Sequence, residues 1–177
     1  MSRRILLGVT GSIAAYKAAE LVRLFVKAGD EVSVVMTPAA CEFVRPLTFQ
    51  TLSRRPVHVE AFAPPADWTP EHVALAASAD VALVAPASAN TLAKLRHGLA
   101  DNLLTATFLA TRAPLAVAPA MNDGMWANPA TQENVVALRA RGVVVIGPAE
   151  GDLACGAAGA GRMVEPEAIF KAVAKLA

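Results

Sequence analysis

The sequence predicts an α/β protein in which a mainly parallel sheet lies between two layers of helices. Three observations carry that expectation. The apolar runs Ile5-Leu6-Leu7-Gly8-Val9, Val81-Ala82-Leu83-Val84-Ala85 and Leu115-Ala116-Val117-Ala118 have the length and continuity of buried strands. Helical periodicity alternates with them, as in Ala14, Ala18, Leu21, Val22 and Phe25. Small polar turns follow the strands, and strands that alternate with helices pair in parallel through right-handed crossovers.

The elements follow in order. Ile5–Val9 is a first strand, and Thr10-Gly11-Ser12 turns into a helix over Ile13–Lys27 that Gly29-Asp30 stops. Glu31–Met36 is the second strand. Thr37-Pro38 caps a helix through Cys41, and Leu47–Ser53 is another helical piece. Residues 54–70 are rich in proline and lack periodicity, so they read as irregular, with a short strand at Val57-His58-Val59. His72 opens a helix ending near Ser78, and Val81–Ala85 is a strand that Pro86 stops. Ser88-Ala89-Asn90-Thr91 leads into a helix to about His97, and Asn102–Ala110 forms the next. Pro119 ends the strand Leu115–Ala118, and a loop runs from there to Trp126. A helix over Pro129–Arg141, a core strand Val143–Ile146, a glycine-rich loop Gly147–Gly161 and a helix Pro166–Leu176 complete the chain. With no repeat and no linker, residues 1–177 are expected to form one domain, a three-layer Rossmann- or flavodoxin-like arrangement.

Composition narrows the function. The chain is 55% hydrophobic and 18% charged, which is a globular balance with a mild excess of apolar surface that hints at subunit contacts. Sixteen basic and fifteen acidic residues give +1 with no run of either sign, so no nucleic-acid partner is expected. No apolar run approaches the roughly 20 residues a membrane span needs. Cys41 and Cys155 lie far apart in unlike contexts, as in a cytoplasmic protein with reduced thiols.

Chemistry is expected where the strand ends converge. In a parallel sheet the loops Thr10-Gly11-Ser12, Pro86–Thr91 and Pro119–Trp126 share one edge. Gly11 and Ser12 open a helix whose amides and dipole favour an anion, and Ser88, Asn90 and Thr91 offer donors at a second helix start. Helix capping explains the same residues, and two such loops on one edge favour a phosphorylated ligand. The first turn lacks the dinucleotide spacing and the Walker lysine, so a mononucleotide such as a flavin fits better. Asn122 offers a carbonyl and an amide between the apolar Met121, Met125 and Trp126. His72 can act as a base near neutral pH, or cap its helix; His58 and His97 read as surface or capping residues. No histidine–carboxylate pair has ligand spacing, so no metal is expected. Cys155, among the glycines of Gly151–Gly161, is either a small buried residue or a thiol that donates a proton from a closing loop. Arg162 suits a phosphate or a carboxylate, or caps the loop.

These stretches together resemble the flavin-dependent cysteine decarboxylases, most of all those acting on phosphopantothenoylcysteine. The matching residues are Thr10-Gly11-Ser12-Ile13-Ala14-Ala15-Tyr16-Lys17, His72, Pro86–Thr91, Asp101-Asn102-Leu103-Leu104, Pro119-Ala120-Met121-Asn122 with Met125-Trp126, and Leu153-Ala154-Cys155-Gly156 with Gly161-Arg162-Met163. They span nearly the whole chain in the family's order.

The resemblance implies a homotrimer or dodecamer with FMN at the subunit interface, bound by Gly11, Ser12, Ile13, Thr37, Ser88, Ala89, Asn90, Thr91 and Ala120. It implies His72 as catalytic base and Asn122 on the substrate carboxylate. Cys155 becomes the proton donor, and Ala154, Gly156, Met125 and Arg162 contact substrate. The implied reaction turns 4′-phosphopantothenoylcysteine into 4′-phosphopantetheine for coenzyme A biosynthesis: the thiol is oxidised, carbon dioxide leaves, and the resulting enethiol is reduced. Relatives that decarboxylate a peptide's carboxy-terminal cysteine stop at the enethiol and do not need the cysteine. Flavin prenyltransferases lack the Pro-Ala-Met-Asn loop, and related flavin-binding regulatory proteins act by binding a partner enzyme.

Overall fold

In the computed structural model, which describes residues 2–61, 68–152 and 158–176, β1 (Arg4–Val9) lies in the middle of a six-stranded parallel sheet. On one side of it stand β2 (Glu31–Met36) and then β3 (Val57–His58). On the other stand β4 (Val81–Ala87), β5 (Leu115–Pro119) and β6 (Val144–Val145). The sequence order therefore reverses between β1 and β4. Such a switch point opens a crevice outside the carboxyl ends of the strands.

Period-two alternation along the strands feeds two cores. Ile5, Leu7 and Val9 face α1 (Ala15–Lys27), α3 (Pro46–Ser53) and α9 (Pro166–Val173), through Leu21, Val22, Phe25, Phe49, Ile169 and Val173. Leu6 and Val84 face the opposite layer of α4 (Glu71–Ser78), α5 (Ala89–His97), α6 (Leu103–Ala110) and α8 (Pro129–Ala140). Gly8 faces that layer too, where a Cβ would press within 3.0 Å of Leu104 and Phe108. Ion pairs Arg3–Asp30 and Arg4–Asp80, each at 2.6 Å, tie down the amino edge of the sheet. Among the described residues no helix is long and apolar enough to cross a membrane.

The expected three-layer fold is present, with local differences. β4 runs through Pro86 to Ala87, because the β4–β5 register shifts between Val84 and Ala87 and no ladder bond is asked of the proline nitrogen. The expected strand 143–146 pairs only at Val144 and Val145, since the Val143 amide donates to Leu138 and finishes α8. Part of the loop after β5 is a helical turn, α7 (Asp123–Ala127). The glycine-rich loop carries an antiparallel ribbon, β7 (Ala149–Asp152) with β8 (Ala158–Arg162). Thr37 caps α2 (Pro38–Cys41), as expected, accepting from the Ala40 amide at 3.2 Å.

Thr10 closes the switch point. Fully buried, its hydroxyl donates to the Pro86 carbonyl at 2.8 Å and accepts from the Ser88 amide at 2.9 Å. One side chain thus sets the spacing of the loops that leave β1 and β4. Thr10→Val keeps the shape and strands both partners, so it should cost about 2 kcal/mol. Denaturant unfolding reads that loss; an unchanged midpoint would show that the loops hold their spacing without it.

Candidate active site

The loops after β1, β4 and β5 meet around a cavity of about 620 Å³. Gly11, Ser12, Ile13 and Ala14 come from the first, Ser88 and Ala89 from the second, and Ala120, Met121, Asn122 and Met125 from the third. Tyr16 and Lys17 on α1 and Gly161, Arg162 and Met163 at the end of β8 complete the wall. Among the described residues of that lining the charged side chains are Lys17 and Arg162, and Glu165 just outside it pairs with both, so the balance left is one positive charge, which favours an anionic ligand.

Each loop meets the cavity differently. A Cβ on Gly11 would come within 2.7 Å of the Ala39 side chain, so only glycine lets α2 pack this closely. The N-cap residue of α1, Ala14, makes no side-chain cap, and its own amide donates to the Ser12 hydroxyl at 3.3 Å, so what favours an anion at this helix start is chiefly the dipole. Ser88, by contrast, caps α5: its hydroxyl accepts from the Thr91 amide at 3.3 Å and donates to the Thr91 hydroxyl at 3.1 Å. Asn122 caps α7, accepting from the Gly124 amide at 2.9 Å and the Met125 amide at 3.4 Å. Its carbonyl is thereby committed to the chain. Its amide nitrogen donates to the Asp123 carboxylate at 2.8 Å, so this end of the side chain already faces a carboxylate, the kind of group it suits as a donor. Trp126 packs against the second core, and its carbonyl accepts from Gln132 at 2.5 Å, while Met125 lines the cavity.

The ribbon bolts onto the same loop. The Met121 amide donates to the Gly161 carbonyl at 2.9 Å. Gly161 has φ +152°, and a Cβ there would overlap the Met121 carbonyl oxygen. At Gly159 a Cβ would lie 2.8 Å from Asp123. Beyond the ribbon, Glu165 binds Lys17 through both oxygens at 3.0 Å and also pairs with Arg162. Bonds from Lys17, then Arg162, hold the Glu165 carboxyl below its usual range. Its contribution to stability is complete above the ordinary carboxylate range and is lost as pH falls through that lowered value.

Of the residues expected to bind flavin, Gly11, Ser12, Ile13, Ser88, Ala89 and Ala120 line the cavity. Thr37 and Thr91 are buried outside that lining, Thr37 as the cap of α2 and Thr91 inside α5 with its amide given to the Ser88 cap, and Asn90 is exposed on the first turn of α5. Asn122, Met125 and Arg162 line it as well. Ala154, Cys155 and Gly156 lie outside the described residues. His72 sits in the first turn of α4, away from the lining. Asp80, just after α4, bonds to Arg4 at the amino edge, so the first turn points to the carboxyl edge, on the β3 side. One chain thus keeps His72 and Asn122 on opposite sides of the switch point. Cys41 packs against the first core, and burial pushes its thiol up.

Ala14, Tyr16, Lys17, Met121, Gly161 and Met163 also line the cavity without a binding role assigned to them from the sequence, and Lys17 is the charged one among them. The signal was present, since Lys17 precedes Leu21 and Phe25 at four-residue steps and so falls on the buried stripe of α1. A lysine there needs a partner. Thr10 carried no comparable mark, because its two bonds depend on how β1 and β4 meet. Gly161→Ala should loosen the ribbon and cost about 2 kcal/mol through backbone strain and overlap. A thermal melt and the amount of flavin retained read the effect, and wild-type values for both would show that β8 does not need this close contact.

Comparisons with known proteins agree with this architecture. The coenzyme A biosynthesis bifunctional protein CoaBC of Vibrio parahaemolyticus is 50% identical over 164 residues, 93% of this chain. The chain spans 41% of that protein's length. A probable phosphopantothenoylcysteine decarboxylase of Streptococcus mutans is 46% identical over 175 residues, 98% of both chains. Among solved structures, a PPC decarboxylase variant complexed with pantothenoylaminoethenethiol superimposes with a TM-score of 0.88 at 36% identity, covering 99% of this chain and 98% of that one. The FMN-dependent cysteine decarboxylase SpaF does so with 0.83 at 33%, covering 98% and 97%. The sequence pattern of the Flavoprotein family matches residues 1–177, and the chain belongs to that family.

Proposed function

We propose that residues 1–177 form a flavoprotein domain that uses FMN to decarboxylate 4′-phosphopantothenoylcysteine to 4′-phosphopantetheine in the cytoplasm, as a step of coenzyme A biosynthesis. One observation carries the reading: flavin-type loops and Asn122 share the wall of one cavity. The fit to a flavin is physical. The helix start after Gly11 suits the phosphate, while Ile13, Met121, Met125 and Met163 supply apolar wall for a ring system. FMN held by these loops would supply the two-electron redox chemistry that the substrate thiol requires.

The protein's part is to position and to move protons. Asn122 presents a neutral donor to the substrate carboxylate. Neutrality matters, because a cation there would stabilise the ionised acid more than the departing carbon dioxide. His72 removes the proton as the thiol is oxidised, and Cys155 gives one as the enethiol is reduced. His72 and Asn122 are apart in one chain, so His72 serves the cavity of a neighbouring copy in a trimer or a dodecamer. Ile13 at 58%, Tyr16 at 61% and Met125 at 49% exposure, all around the cavity, are the apolar surface such a neighbour covers.

Purified protein should be yellow, release FMN on denaturation and run as a multiple of three. A colourless monomer would count against the proposal. Incubation with phosphopantothenoylcysteine should remove carbon dioxide alone, as read by mass. Loss of two further hydrogens, or turnover only of a peptide ending in cysteine, would favour the oxidative peptide reaction that SpaF's likeness brings into view.

Single substitutions separate the roles. Cys155→Ser should still release carbon dioxide but accumulate the enethiol. His72→Asn and Asn122→Asp should keep FMN and lose about a hundredfold or more in turnover. Full activity in any of them removes that residue from the mechanism.

A further inference from the structure

The first turn of α4, which carries His72, is poorly held by its own helix. Its N-cap is Pro70, which makes no side-chain cap, and no proline stands at its first helical positions. Within the turn, the Val73 and Ala74 amides both lean on the Pro70 carbonyl, at 2.9 and 3.1 Å. Val73 and Ala74 are exposed, and the buried residues of the helix, Leu75 and Ala76, come only in its second half. Such a turn frays unless something outside the helix fixes it.

His58 is that outside contact. Its Nδ1 lies 2.5 Å from Oε1 of Glu71, the first residue of α4 and the one before His72. An ionised carboxylate only accepts, so Nδ1 carries the proton and donates. Both side chains are more than two-thirds shielded, at 20% and 29% exposure, which protects the bond from screening. The donor is itself anchored. His58 pairs with Val35 on β2, and Val57 and Val59 on either side pack against the first core.

We infer that His58, acting through Glu71, is the positioning residue for His72: the sheet-anchored bond replaces the missing cap, keeps the first turn of α4 helical and so sets where the His72 ring stands. The inference rests on the reading of His72 as the base. His58 does not touch the substrate in this account. It acts through Glu71 and the backbone of the turn.

The test uses the FMN-loaded protein and four variants: His58→Ala, Glu71→Ala, the double variant, and His58→Asn, whose amide nitrogen stands where Nδ1 stood and restores an N–H donor. His58→Ala and Glu71→Ala should each lower kcat about fivefold, the effect of losing a contact of cap strength. KM, FMN content and melting temperature should stay near wild type. The double variant should be no worse than either single one, since both remove the same bond. His58→Asn should recover most of the loss.

Hydrogen exchange at the Val73 and Ala74 amides should speed up in His58→Ala while α1 and α5 stay protected. That arm needs no turnover. If wild type fails to decarboxylate phosphopantothenoylcysteine, the functional reading fails and the exchange arm still decides the tether. Unchanged protection at 73 and 74 overturns the inference. So do unchanged kcat in both single variants, losses that multiply in the double, or a fall in kcat that tracks lost flavin or a lowered melting temperature.

Discussion

Everything at the carboxyl edge depends on how β1 and β4 part company. Parallel strands adjacent in space but distant in sequence leave a gap where their loops turn away, and Thr10 spans it with one buried hydroxyl. Donating to Pro86 and accepting from Ser88, it uses both its hydrogen-bonding capacities on the neighbouring loop. The start of α1 and the start of α5 are therefore held at one separation, as a preformed ligand site requires. The same region is free of ladder demands at Pro86, because the β4–β5 register shifts there. A proline next to the site is tolerated for that reason.

A second constraint comes from the ribbon. β8 approaches the loop after β5 so closely that glycine is required at 159 and 161, and the approach fixes the backbone on either side of Asn122. Behind it, Glu165 gathers Lys17 from α1 and Arg162 from β8. Flavin-type loop, substrate-type loop and ribbon are consequently one mechanical unit. The arrangement couples them: a change that lifts β8 moves Arg162 and the support of Asn122 together.

Among the described lining residues, both charged side chains of the cavity are cations, each held by Glu165 from outside it. Its apolar rim is unusually exposed, and the histidine assigned as base stands on the far side of the sheet's centre. In the proposed assembly a neighbouring copy resolves both facts at once, covering the rim and bringing a base. His58 and Glu71 then matter because a residue delivered across an interface must be rigid in its own chain before it can be well placed in another.

Much of this was legible in the order of residues. Continuous apolar runs and helical periodicity determine which segments are strands and helices, because burial on both faces or on one stripe leaves a period that can be read directly. The convergence of Gly11, Ser88 and Asn122 followed from parallel pairing alone. Capping residues were readable too, since Thr37 and Ser88 act within a few positions of themselves. Tertiary structure decided what depends on contact between distant segments. The Thr10 bridge spans 78 positions to Ser88, the Lys17–Glu165 pair spans 148, and the strand pairing within Gly147–Gly161 rests on backbone bonds that composition does not encode. His58 shows the limit most plainly. As a lone histidine in an irregular stretch it had no local signature, and only the packing of β3 against the start of α4 gave it a carboxylate partner.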